Sequence, residues 1–278
     1  MSVKKKYIVR FSRLNRALHV LMILSFISLS LTGMSLKFSY TGWAKVLSHF
    51  FGGFESAGYL HRFAAVVMII IFITHLVDII RLKKKEFKSW KELLLGNNSM
   101  MFNKKDMQDI AGSLKWFIGK GPRPEYGRWT YWEKFDYFAV FWGMCVIGST
   151  GLILWFPEFF TNFFPGWVLN IATIIHSDEA LLATGFIFTV HFFNTHLRPE
   201  KFPMDIVIFS GRVPLHEFKL DRPAEYKELV ENGELEKHLV EEYPSIVVRG
   251  MKIFGWTALI TGFSIVIWII YAMIFAYQ

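Results

Sequence analysis

Five stretches of this chain carry too many apolar residues in succession to fold around a water-facing surface. They run roughly over Ala17–Leu36, Tyr59–Ile80, Phe135–Phe156, Glu179–Leu197 and Ile253–Tyr277. A helix needs about 20 mostly apolar residues to cross a bilayer. Lipid offers no hydrogen bonds, so each crossing segment must satisfy its own backbone, which a helix does. The chain is therefore expected to be all-α, an integral membrane helical bundle with five transmembrane helices. The fourth run is interrupted by histidines and is placed by length and context. The first is too long, and too far from a small-residue cleavage site, for a signal peptide.

Charge supports the same count. The net charge is +8, from 31 Lys and Arg against 23 Asp and Glu. The tail up to Arg16 holds Lys4, Lys5, Lys6, Arg10, Arg13 and Arg16, residues 81–133 hold twelve basic residues, and residues 197–251 hold eight. Residues 157–175 hold none, and residues 37–59 hold only Lys37 and Lys45. Basic loops stay on the cytoplasmic side of a membrane. Five spans with a cytoplasmic N-terminus put every rich segment inside, every poor one outside, and the C-terminus outside. This distribution accounts for the basic charge without nucleic acid. The single cysteine, Cys145, excludes a disulfide framework, a CxxC metal site and covalent haem attachment. The aromatic stretch Leu154–Trp167 reads as an outer-interface segment, with Pro157 and Pro165 ending the third helix and shaping the turn.

Between spans, "RLKKKEFKSWKE" from Arg81 reads as a basic flank drawn to anionic lipid. Met107, Ile110, Leu114 and Phe117 recur at helical spacing, so a short surface helix is expected there, resting on the membrane or receiving a partner subunit. Residues 199–251 form a charged cytoplasmic segment, with a solvated helix over Glu225–His238 broken near Gly233. His49, His216 and His238 read as surface histidines.

Six histidines remain at membrane depth: His19, His61, His75, His176, His191 and His196. Each is costly there and marks a site or an interhelical bond. At about 100° per residue, His61 and His75 share a face of the second span, and His176 and His191 roughly share one of the fourth. Each pair is about 21–22 Å apart along its helix. Two such helices face to face offer one imidazole pair near each membrane surface. Zinc or copper would need further ligands, and neither a cysteine cluster nor enough carboxylates lie at this depth. Haem brings four equatorial nitrogens and asks only for axial ligands. Gly33, Gly148, Gly151 and Gly185 would admit the macrocycles or else close helix packing, and Arg62 would pair with a propionate or snorkel to the interface. Two other readings stand beside this one: a cofactor-free histidine relay moving protons or ions, and a structural anchor for a soluble redox enzyme.

The residues also resemble a known family. "RLNRALHVLMILSFISLSLTGMSLKF" (Arg13–Phe38) is similar to the first helix of the membrane cytochrome b subunits of formate dehydrogenase (its gamma subunit) and nickel–iron hydrogenase, through Arg16, His19 and Thr32-Gly33. "LHRFAAVV" (Leu60–Val67), "GRWTYWEKFDYF" (Gly127–Phe138) and the two-histidine fourth helix continue the likeness over about residues 10–198.

The resemblance implies a four-helix haem-binding domain over residues 1–198; the charged segment 199–251 and the fifth helix at 252–278, which has no histidine and reads as a lipid-facing or subunit-contact helix, are additional to the family pattern. The resemblance pairs His61 with His176 and His19 with His191. His75 and His196 are additional. The His61/His75 spacing resembles the ligand pair in the cytochrome b of quinol:cytochrome c complexes, which would pair His75 with His191 and leave His19 and His196 spare or holding a third haem. On an ideal helix His196 lies about 140° from His191, so one haem would not use both.

The family further implies two b haems in a prokaryotic inner membrane, a quinone (menaquinone or ubiquinone) and an extracytoplasmic redox subunit. That subunit would be a multihaem cytochrome c, an iron–sulfur protein or a dehydrogenase or hydrogenase. Thr130 and Glu133 stand where the family's quinone region carries Asn and Gln. Asn194, His196, Arg198, Glu133 and Lys134 are the expected quinone contacts.

Overall fold

The computed structural model describes residues 6–96 and 98–276. The expectations for Lys4, Lys5 and the C-terminal Tyr277-Gln278 fall outside them. Among the described residues five helices are long and apolar enough to cross a membrane: α1 (Arg13–Lys37), α3 (Phe54–Glu86), α6 (Tyr131–Trp155), the helix from Trp167 to Leu197, and α13 (Ser245–Phe275). Little of each is buried inside the protein, and side chains such as Phe63, Ile70, Leu182 and Ile260 stand exposed. That is the surface a lipid-facing bundle presents.

The spans are longer than their apolar runs, because hydrogen bonding continues into polar flanks. α3 runs on through Lys83, Lys84 and Lys85, cations that suit a helix C-terminus. The fourth span starts at Trp167, not near Glu179, since residues 167–178 are themselves mostly apolar. His176 therefore lies well within the helix, where the sequence placed it at an end. This span is α-helical as α8 (Trp167–Phe186) and then π-helical over Ile187–His191 and Phe193–Leu197.

Shorter elements join the spans. α2 (Gly42–Phe50), unforeseen in the sequence, is capped by Thr41, whose hydroxyl accepts from the Ala44 N–H, and it carries His49. α4 (Trp90–Leu95) is capped by Ser89, and α5 (Lys104–Phe117) opens with a capping box of Asn103 and Asp106. α7 (Pro157–Phe160) starts on its proline. The charged segment holds α9 (Val207–Ser210), α10 (Leu215–Asp221), α11 (Pro223–Glu231) and α12 (Leu235–His238), the last two separated at Gly233 as expected.

The chain forms two compact units, each discontinuous in sequence. One comprises Met1–Arg16, Leu76–Phe138 and Ile206–Met251. It contains a three-stranded antiparallel sheet of order β2-β1-β3, from Arg212–Pro214 (β2), Tyr7–Val9 (β1) and Leu239–Val240 (β3). Ile8, Val213 and Phe218 form its apolar core, with Tyr226, Leu229 and Leu235 packed on them.

Beside this core lies a buried ionic network. Arg10 donates to Glu225 at 2.8 Å and to the Arg128 carbonyl, Arg128 donates to Glu225 at 2.9 Å, and Arg222 donates to Glu133 at 2.7 Å. Burial, reinforced by Arg222 and opposed by Glu133 and Glu225, pushes the Arg10 guanidinium down to about 10, so it stays charged at neutral pH.

The other unit comprises Ala17–His75, Ala139–Asp205 and Lys252–Gln278. α13 buries a stripe of Gly255, Ala258, Leu259, Gly262, Ile265, Ile269 and Ala272. Small residues on such a stripe let helices approach closely. At Gly262 an added Cβ would lie 2.5 Å from the Phe188 ring and 2.7 Å from Phe192, both on the π-helical segment. Phe26, Phe188, Phe192 and Phe263 continue this contact as tilted and edge-on rings. The fifth span is thus packed against the histidine-bearing end of the fourth.

Candidate functional site

His61 on α3 and His176 on α8 face each other, ring centroids 6.3 Å apart and planes at 76°. Each is held through Nδ1 by a threonine of another span. The Thr32 hydroxyl donates to the Ser28 carbonyl at 2.6 Å, so it can only accept from His61 Nδ1–H, 3.0 Å away. The Thr150 hydroxyl donates to Val146 O at 2.7 Å and stands 3.3 Å from His176 Nδ1, which also lies 3.0 Å from the Ile147 carbonyl.

A carbonyl only accepts, so His176 carries its proton on Nδ1 too. Both rings thereby keep Nε2 as a lone pair, the state required of a neutral imidazole ligand whose second nitrogen is oriented by an acceptor. The facing placement of the two rings fits a metal macrocycle held between them.

A glycine follows each of these threonines, and a ring rests on each. A Cβ on Gly33 would come 3.1 Å from His61 Cε1, and one on Gly151 would come 3.0 Å from His176 Cε1. Around Gly148 and Gly185 an added Cβ meets nothing within 4 Å. The sequence offered Gly33 through the family pattern but assigned Thr150 no part. Its signal, a second Thr-Gly opposite the second histidine, is legible only once the spans are paired.

The second cluster contains His19 on α1 and His191 and His196 on the π-helical segment. The three lie within electrostatic reach of one another, and His196 also lies beside Asp205. The π turns correct one expectation. A π-helix closes i→i+5 hydrogen bonds, as in Phe192 N–H to Ile187 O and Arg198 N–H to Phe193 O, the latter at 3.2 Å. Residues five apart then return to nearly one face, so His191 and His196 are not separated by the angle of an ideal helix. The Phe192 ring contacts both, 6.5 Å from His191 and 6.3 Å from His196. The Nδ1 of His196 is buried and has no hydrogen-bond partner.

The other expected residues are placed as follows. His75 lies half-buried on α3. Arg62 stacks between the Tyr59 and Trp155 rings at 5.7 and 6.0 Å. Arg16 donates through Nε to the Phe209 carbonyl at 2.6 Å and through Nη1 to the Tyr243 hydroxyl at 3.3 Å. Arg198 donates to the Asn194 carbonyl at 2.8 Å.

Thr130 and Glu133 form the cap of α6: Glu133 accepts from the Thr130 N–H at 2.8 Å and from its hydroxyl at 2.9 Å. Lys134 is buried in a 2.9 Å salt bridge with Asp106. The polar atoms of Thr130, Glu133 and Lys134 are therefore already engaged by protein partners. Arg10, Arg128, Arg222 and Glu225, which complete this polar region, carried no recognisable sequence signal.

Spans that present one facing imidazole pair with each Nδ1 anchored, and a second histidine cluster beside it, define a class: membrane proteins suited to grip a metal macrocycle in lipid. Residues 10–197 match the prokaryotic cytochrome b561 family, and the chain belongs to it. It is also similar to the cytochrome b556(Fdn) subunit of nitrate-inducible formate dehydrogenase from Escherichia coli K12, at 23% identity over 240 residues, covering 86% of this chain and 98% of that subunit. The corresponding subunits of E. coli O157:H7 and Shigella flexneri match equally. The chain is accordingly a multi-pass b-type cytochrome of electron transfer in a prokaryotic inner membrane, and its family implies haem b as cofactor.

Proposed function

We propose that this chain carries electrons between a dehydrogenase-type subunit on the outer face and membrane quinone, holding one b haem between His61 and His176 and a second between His19 and His191. The observation that carries this reading is the His61–His176 pair, facing across separate spans with each Nδ1 3.0 Å from an oxygen, of Thr32 or of the Ile147 carbonyl. Bound b haem supplies reversible one-electron transfer. The protein would hold the haems through the imidazoles of His61 and His176 and of His19 and His191, with Arg62 as a cation for an outer propionate. The name of the similar subunits, part of a formate dehydrogenase, supports a dehydrogenase partner. The distribution of Lys and Arg supports a cytoplasmic N-terminus.

Quinone is best served by His196, Asn194 and Arg198. His196 has a buried, unpartnered Nδ1 to offer a quinone oxygen and lies beside Asp205, whose carboxylate pairs with Lys201 at 3.4 Å. Thr130, Glu133 and Lys134 would have to surrender their present bonds to take part. His75 is left as a rival to His19 for the inner site. The test uses the purified protein in lipid nanodiscs and a short-chain quinol. His196→Gln is expected to slow quinol-driven haem reduction by about tenfold or more with haem content intact. An unchanged rate excludes His196 from the quinone site.

A further inference from the structure

The face that α5 buries is polar, and the stripe beside it that α5 exposes is apolar. Asp106, Asp109 and Ser113 are turned inward. There Asp106 accepts from Lys134, the Ser113 hydroxyl meets that of Tyr126 at 2.7 Å, and Asp106 and Asp109 line a polar cavity of about 150 Å³ with Asn98, Asn103 and Glu225. About a quarter turn round the helix, Met107, Leu114, Phe117 and Ile118 stand outward, 66%, 61%, 70% and 65% exposed. Lys104 and Lys115, also exposed, border this stripe on its far side.

Three large apolar side chains this exposed on a fourteen-residue helix, with a fourth at its C-cap, Ile118, are not the ordinary scatter of a wet surface. The burial they lack must come from outside the chain. The same compact unit carries further exposed apolar side chains: Trp90, Leu94 and Leu95 on α4, Val77 and Ile80 on the end of α3, and Phe135 and Phe138 on the start of α6. Since α3 and α6 are membrane-crossing helices, their exposed apolar side chains already face lipid. The basic residues in this region, Lys83, Lys84, Lys85, Lys88, Lys91, Lys104, Lys105, Lys115 and Lys120, complement anionic headgroups rather than a basic partner.

We infer that α5 is an interfacial helix: its apolar stripe lies in the acyl–headgroup boundary of an anionic phospholipid leaflet, and Lys104 and Lys115 reach the headgroup phosphates. A helix lying in the interface has an apolar face in lipid and lysines along its polar border. Here the remaining side is occupied by the protein's own polar interior. The inference does not depend on haem ligation or on the direction of electron flow.

The experiment attaches spin labels to Met107→Cys, Leu114→Cys and Phe117→Cys, with Gln108→Cys as control, each in a Cys145→Ala background. The full-length protein is placed in nanodiscs of phosphatidylcholine alone or with phosphatidylglycerol. The three stripe labels are expected to collide with oxygen several-fold more, relative to a water-soluble nickel chelate, than the label at 108. Phosphatidylglycerol should deepen them, and Lys104→Glu with Lys115→Glu should abolish that deepening. Labels as water-accessible as the control overturn the inference. So do labels reachable by oxygen and chelate in the isolated protein but closed to both in the native complex, which would assign the stripe to a partner subunit.

Discussion

At the residue scale, His61 is fixed by Thr32, and His176 by Thr150 together with the Ile147 carbonyl, the two threonines acting from different spans. Thr32 and Thr150 each spend their hydroxyl proton on their own helix, so that toward the imidazole they can only accept. Thr32→Val and Thr150→Val keep the shape and remove this acceptor. Loss of such an outer partner weakens metal binding or activity by about 10–100-fold. Each variant is expected to bind haem more weakly and to shift the midpoint of one haem, which a redox titration followed in the b-type absorption band resolves; unaltered titrations would show that the threonines do not set the ligand. Gly33 and Gly151 belong to the same device, since any larger residue pushes on the ring it carries.

At the scale of elements, the π-helical stretch sets the positions of His191 and His196, and α13 supports it. Gly262→Leu would place a side chain where Phe188 and Phe192 now lie. Overpacking of this kind typically costs about 1–3 kcal/mol. The expected result is a protein that inserts, keeps the haem of His61 and His176, and loses or shifts the other, as read from the reduced-minus-oxidised spectrum. Equal loss of both would mean that α13 supports the whole bundle.

The element scale also shows what sequence can and cannot tell. The spans were legible because apolar length and Lys/Arg placement are properties of each segment alone. His61 and His176 were legible because histidine is costly in lipid. The π turns were not, because the β-branched and aromatic residues of "FIFTVHFFNTHL" are ordinary in a membrane helix and do not distinguish π from α; packing against α13 accompanies them. The sheet was not, its strands being two or three residues long. Thr150 was hidden among other Thr-Gly pairs, at Thr41, Thr184 and Thr261, whose glycines meet no histidine.

At the scale of the whole molecule, one compact unit of the chain holds all the placed histidine clusters, and the other is organised by a buried ionic network that ties the N-terminal strand to α6 and α11. Removing one partner of a buried pair costs about 3–5 kcal/mol, because it strands the other charge. Arg10→Met is therefore expected to lower the thermal midpoint of the detergent-solubilised protein sharply, with partial recovery when Glu225→Gln is added. A midpoint unmoved by Arg10→Met would show that the network is incidental to stability.

The central claim is that facing imidazoles from separate spans each hold one haem, and counting haem per polypeptide tests it most directly. Pyridine haemochrome assay against protein concentration is expected to give two haems for the native chain and one for either His61→Ala or His176→Ala. A native chain without haem, or both variants retaining the full native complement, would contradict it.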